Sequence, residues 1–190
     1  VRAFFGTIDT YLIYRLTRAE TFATDHTNAS RTLLYDIRQR RWDETLCGCF
    51  AAPFHALAEI RESSECFGAT TAEGLLSEAL PICGVMGDSQ ASLFAHGCFD
   101  TGMAKVTIGS GSSTLLNIGP DLEIAQNGTV STLGWVYRDV PTYCFEGIIN
   151  DTASSSSLYA LAAAREAKLP QASATGLSGC PRGRFYASDQ

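Results

Sequence analysis

The chain has 190 residues, 45% of them apolar, enough to bury a core in one large domain or in parts of two. Its net charge of −6, without any basic run, argues against nucleic acid or an anionic membrane as partner. No apolar stretch approaches the ~18 residues of a membrane span, and no signal-peptide pattern opens the chain, so a cytoplasmic protein is expected. The opening on Val1 rather than Met leads us to expect a piece of something longer.

In chain order, Asp9 is placed to cap a helix through Tyr11, Leu12, Tyr14 and Leu16. Thr21 to Asp25 reads as a short strand or extended loop. The polar run Asn28-Ala-Ser-Arg-Thr32 follows, then Leu33, Leu34 and Ile37. Trp42-Asp-Glu-Thr-Leu begins a second helix with Asp43 near its start, and Pro53 to Ile60 forms a short third. Glu65 to Ala69 reads as extended and Gly74 to Leu80 as a loop. Ile82 to Met86 is an apolar run that reads as a buried strand, ended by Gly87 and Asp88. Beyond it Ala91, Leu93, Phe94 and Ala95 mark a helix. An acid at the carboxyl end of a strand, beside a helix start, is where open α/β proteins usually keep chemistry.

From Gly102 onward strands dominate: Met103 to Ile108, Ser113 to Ile118, Val130 to Tyr137 and Thr142 to Phe145. Turns at Gly119-Pro-Asp and Asn127-Gly128 separate them. A helix is expected from Ala153 to Lys168, and the tail from Ala172 has no periodicity. The change of texture places a domain boundary near residues 96–101, giving domains 1–96 and 97–190. The Asp88 motif then lies at the inner edge of a cleft, as a base facing a phosphate cradle at Gly109-Ser-Gly-Ser-Ser113.

Seven cysteines, an odd count set mostly in apolar runs, read as reduced core thiols. Cys47-Gly-Cys49 is the only pair close in sequence and lacks the partners of a zinc site. The sequons at Asn28, Asn127 and Asn150 are read as chance. Asp25 and Arg31 are candidates for an ion pair. His26, His55 and His96 read as surface or packing residues, Lys105 as lying on a strand edge, and Trp42 and Trp135 as core.

Several motifs together resemble one family. Gly6-Thr-Ile-Asp-Thr-Tyr-Leu-Ile-Tyr-Arg-Leu-Thr17, Thr24-Asp-His-Thr-Asn-Ala-Ser-Arg-Thr32, Trp42-Asp43 and Glu59-Ile-Arg-Glu-Ser-Ser-Glu65 are similar to segments of FGGY carbohydrate kinases, in the same order. Gly87-Asp-Ser-Gln-Ala-Ser-Leu-Phe94, Gly102-Met-Ala-Lys105, Gly109-Ser-Gly111 and Glu146-Gly147 continue the match. The resemblance implies an α/β, actin-like kinase with ribonuclease-H-like lobes: the end of the first lobe over 1–96 and the start of the second over 97–190. It implies ATP, Mg²⁺ and phosphoryl transfer to a primary hydroxyl of a sugar or polyol.

By that resemblance Asp88 is the catalytic base, and its position also suits a helix cap. Gly109, Ser110 and Gly111 contact the transferred phosphate. Ala153 and Ser157 fall where the family carries a Gly and a Gln near the nucleotide, although a serine-rich helix start capped by Asp151 or Thr152 fits them as well. Ser89 stands where glycerol kinases have a polyol-contacting Gln, and Ser113 where they have a Phe against the glycerol carbons. A lost apolar wall and an added hydroxyl point to a sugar or longer polyol. Ser77 and Ala79 replace the Gly and Arg of a fructose bisphosphate loop, so that regulation is expected to be absent.

Two other readings compete. Gly87-Asp-Ser89 resembles the start of a GDS-type esterase, with Ser89 as nucleophile, but no late histidine follows to activate it. A non-catalytic kinase-like binding or regulatory protein is the other. A split lobe would expose apolar surface, which favours pairing into a homo-oligomer.

Overall fold

The structure, a computed structural model, describes residues 4–108, 111–126 and 128–150. Val1–Val106 and Ser113–Ile148 fall into one compact unit and Thr107–Ser112 into a second.

Helix α1 spans Ile8–Leu16. Its N-cap is Thr7, and Asp9 lies inside the first turn rather than capping it. Only Thr10 and Ile13 are buried, while Ile8, Tyr11 and Leu12 are exposed. Strand β1 (Ala23–Asp25) pairs in parallel with β4 (Glu59–Arg61), with Asp25 opposite Arg61. Between them lie α2 (His26–Ala29), the antiparallel pair β2 (Tyr35–Asp36) and β3 (Arg41–Trp42), and α3 (Glu44–Cys49). Asp43 caps α3 by accepting from the Leu46 N–H at 2.8 Å. The expected helix over residues 53–60 is only one 3-10 turn, Phe54–Ala56. Pro53 fixes the chain as extended just before that turn, and the residues after it are drawn into β4.

Strands β5 (Ala69–Thr70) and β6 (Leu80–Pro81) pair antiparallel. The run Ile82 to Met86 is not the buried strand its composition implies. It is extended chain bonded along one edge, Phe67 N–H to Ile82 O and Val85 N–H to Ser63 O, with Cys83 and Gly84 exposed. Helix α4 (Asp88–Ala95) follows.

Strands β7 (Ala104–Ile108), β8 (Ser112–Gly119), β9 (Val130–Tyr137) and β10 (Val140–Asn150) form one sheet in the order β7-β8-β10-β9. Strand β9 is buried from Thr132 to Val136, on both faces. Trp135 pairs with Thr142 but Leu133 with Tyr143, so Gly134 is an extra residue, a bulge. The bulge shifts the in-out phase. Leu133 and Val136 therefore share a cluster with Ala29, Tyr35 and Tyr143, and Trp135 joins Leu93, Cys98, Leu115 and Cys144. A Cβ at Gly134 would meet Cys144 Sγ at 2.9 Å, so only glycine fits there.

The turn between β9 and β10 uses Arg138 (φ 51°) and Asp139 (φ 62°), a left-handed pair that hairpins usually fill with Asn and Gly. Glu62 grips it from outside, accepting from the Arg138 and Asp139 N–H groups at 2.7 Å each. Arg40 donates to Asp139 O at 2.8 Å.

Candidate active site

Asp88 is the first residue of α4, and Gly87 is its N-cap. The expected capping role therefore moves back one residue. A Cβ at residue 87 would lie 2.5 Å from Gln90 Oε1, so a larger residue there would displace the end of the Gln90 side chain. Gln90 and Leu93 are buried and anchor the inner face of α4, with Met86 packed beside Leu93. Asp88 itself is exposed. Its Oδ1 accepts from the Ser89 N–H at 2.7 Å, and the positive end of the helix dipole favours its charge.

Behind Asp88 lies a buried carboxylate. Asp25 ends β1 and caps α2, accepting from the Thr27 N–H at 3.1 Å and the Asn28 N–H at 3.0 Å. Asn28 Nδ2 donates to it at 2.8 Å, Ser63 Oγ at 2.7 Å and Thr27 Oγ1 at 2.9 Å. Burial pushes the Asp25 carboxyl above its ordinary value, and the Asn28, Ser63 and Thr27 donors pull it back. Because the Thr27 hydroxyl proton goes to Asp25, its oxygen is left to accept, and the Gly87 N–H donates to it at 2.8 Å. A chain of bonds thus runs from the end of β1 to the residue before Asp88. The sequence reading missed this support and paired Asp25 with Arg31. Arg31 instead pairs with Glu146. The signal was present in Asp25-His-Thr-Asn28, a pattern by which a side chain caps its own following turn.

Beside Tyr35, burial and then Arg40 hold His26 down to about 4. His26 Nδ1 and the Tyr35 hydroxyl share a bond of 2.7 Å.

The other expected site residues are placed unevenly. Ser89 is half-buried in the first turn of α4, and Ser113 is half-buried in β8. Gly111 is exposed. Gly109, Ser110, Ala153 and Ser157 lie outside the described residues, as do the expected helix over 153–168 and the tail. Lys105 lies on β7, at the edge of its sheet as expected, and is buried. Trp135 is core, whereas Trp42 is only partly buried. Cys47, Cys98 and Cys144 are buried thiols, but Cys49, Cys66 and Cys83 are exposed, contrary to a uniform core reading.

A cavity of about 880 Å³ lies against Val85, Met86, Ala91, Phe94 and Trp135. Asp88 does not line it, and its wall is mostly apolar. Among the described residues no cluster of three or more His, Cys, Asp or Glu could hold a metal ion, and no helix is long and apolar enough to cross a membrane.

Glycerol kinase from Plasmodium falciparum, solved with ADP, superposes with a TM-score of 0.74 at 35% identity, over 88% of this chain and 34% of its own. A ligand-bound xylulose kinase from Lactobacillus acidophilus superposes at 0.66 over 77% of this chain and 30% of its own, and its 17% identity speaks for the fold alone. The chain is thus part of an α/β protein of the actin-like, ribonuclease-H-like class. Residues 2–95 match the N-terminal domain of the FGGY family of carbohydrate kinases, and glycerol kinase 1 of Thermotoga maritima is 45% identical over 151 residues, 80% of this chain. The chain belongs to the FGGY family of carbohydrate kinases. It spans 30% of the length of that relative.

Proposed function

We propose that the whole protein transfers a phosphoryl group from ATP to a primary hydroxyl of a sugar or polyol, with Asp88 as general base. The observation that carries this reading is an exposed carboxylate at the start of α4, held by a backbone tied through Thr27 to buried Asp25, in a chain of carbohydrate-kinase family. An alcohol is a weak nucleophile, and a positioned carboxylate that takes its proton contributes ~10²–10⁴ in rate. The Ser89 N–H holds Oδ1, and Oδ2 is the atom we assign to the hydroxyl proton.

In this reading ATP would supply the phosphoryl group and Mg²⁺ would offset its charge. Mg²⁺ prefers phosphate oxygens, water and one or two carboxylates. Exposed Asp88 at the start of α4 is a carboxylate that such a Mg²⁺ could share. Gly109, Ser110 and Gly111 would hold the transferred phosphate by backbone N–H groups and a hydroxyl, with Ala153 and Ser157 nearer the nucleotide. The domain division at 96/97 belongs to the same reading.

Ser89 and Ser113 favour an acceptor richer in hydroxyls than glycerol. The 45% identity to a glycerol kinase favours glycerol itself. Turnover with glycerol, pentitols and pentuloses decides between them, and a clear preference for glycerol removes the Ser89/Ser113 argument. Asp88→Asn is expected to lose at least about a hundredfold in kcat while keeping its affinity for ATP; unchanged turnover refutes the base assignment. Exposed Ile8, Tyr11 and Leu12 support self-association, which the elution volume of the intact protein tests.

A further inference from the structure

Cys66 and Cys83 are 17 positions apart in the chain, yet they meet. The chain on either side of them runs antiparallel: Phe67 N–H donates to Ile82 O at 2.7 Å, Ile82 N–H to Gly68 O at 2.8 Å, and Val85 N–H to Ser63 O at 2.9 Å. These bonds bracket the two cysteines and set them opposite each other. Residues facing each other across such a pair have Cα atoms about 4.5–5.5 Å apart, inside the roughly 4.4–6.8 Å that a disulfide spans. Both side chains are exposed, unlike Cys47, Cys98 and Cys144. The Cys66 thiol donates to Gly68 O at 3.7 Å, and desolvation and then the neighbouring Cys66 thiol raise the Cys83 thiol above its ordinary value. Cys66 is three residues beyond Ser63, which holds Asp25, and Cys83 lies on the extended segment that ends at Gly87 and Asp88.

We propose that Cys66 and Cys83 are a redox-sensitive dithiol that closes into a disulfide and staples together the two segments converging on Asp88. The oxidant is a low-molecular-weight disulfide. One cysteine thiolate attacks it, forming a mixed disulfide and releasing one small thiol. The second cysteine thiolate then attacks the protein sulfur of that mixed disulfide, forming the Cys66–Cys83 bond and releasing the second small thiol. The two protons of the cysteines end on the released thiols, and the two electrons reduce the oxidant. Neither step draws on the kinase reading.

The experiment treats the full protein with oxidised glutathione and follows intact mass, peptide mapping and amide hydrogen exchange over residues 82–87. The wild type is expected to lose the mass of two hydrogens, to yield a linked Cys66–Cys83 peptide, and to exchange more slowly over 82–87. Cys66→Ser and Cys83→Ser should each instead keep one glutathione on the remaining thiol, with exchange unchanged. Stable glutathione adducts mapped to both Cys66 and Cys83 of the wild type, or a linkage of either to Cys49, overturn the dithiol. A linked peptide with unchanged exchange overturns the staple.

Discussion

Thr27→Val keeps the shape of a fully buried side chain and removes one hydroxyl. That hydroxyl donates to Asp25 at 2.9 Å and accepts from the Gly87 N–H at 2.8 Å. The half-buried Gly87 donor is left without its acceptor, a loss of about 1–3 kcal/mol. Asp25 keeps its bonds from Ser63, Asn28 and the Thr27 backbone, so its share sits near the low end of the roughly 1.5–3 kcal/mol of a charged hydrogen bond. The sum is a destabilisation of about 2.5–4.5 kcal/mol, or roughly 5–18 °C in Tm for a chain of this size. Thr27→Ser retains the hydroxyl and loses one buried methyl, about 1 kcal/mol. Denaturant unfolding and exchange at the Gly87 amide separate the two variants: Val should speed that exchange and Ser should not. In the whole enzyme Val should lower kcat more than it raises KM for ATP. Equal stability and equal Gly87 exchange in Val and Ser would refute the bridge.

His26 gives a pH signature. The unfolded chain takes a proton on this imidazole near pH 6.5 and the folded chain only near about 4. Between those values proton uptake favours the unfolded state, so stability falls as pH drops through the window and levels off below it. His26→Gln should flatten this part of the profile of denaturation midpoint against pH; identical profiles count against it. Leu93→Ala empties a fully buried site beneath α4 and should cost about 2–5 kcal/mol by denaturant unfolding. A cost below ~1 kcal/mol would show that the cluster around Trp135 collapses to fill the gap.

Much of the framework was legible because it is local. Asp43 capping α3, the helix after Gly87 and the strand-rich texture from Gly102 onward follow from caps and periodicity over a few residues. Ile82 to Met86 misled because apolarity shows what a segment could bury, while burial depends on what packs against it. Gly134 carried no signal of its bulge, since the register shift exists only against Tyr143 and Thr142. Asp25 was legible in kind, through Asp-x-Thr-Asn, but a charge-pairing habit assigned it to Arg31. The link from Thr27 to Gly87 joins residues 60 apart, and no local pattern encodes it. The exposed meeting of Cys66 with Cys83 escaped for the same reason.

Glu62 has a consequence for how the chain is made. Left-handed Arg138 and Asp139 store about 1–3 kcal/mol each in a turn of ordinary residues, so the β9–β10 hairpin is poorly equipped to close by itself. Its clasp comes from 76 and 77 positions earlier in the chain. At about 5–20 residues per second, a ribosome releases Glu62 roughly 4–15 seconds before the turn. The acceptor is already in place when the hairpin emerges. Refolding from denaturant offers no such head start, and there the hairpin must wait for a long loop to close. Vectorial synthesis should therefore reach the folded state faster than refolding of the whole chain, and Glu62→Gln should narrow that advantage.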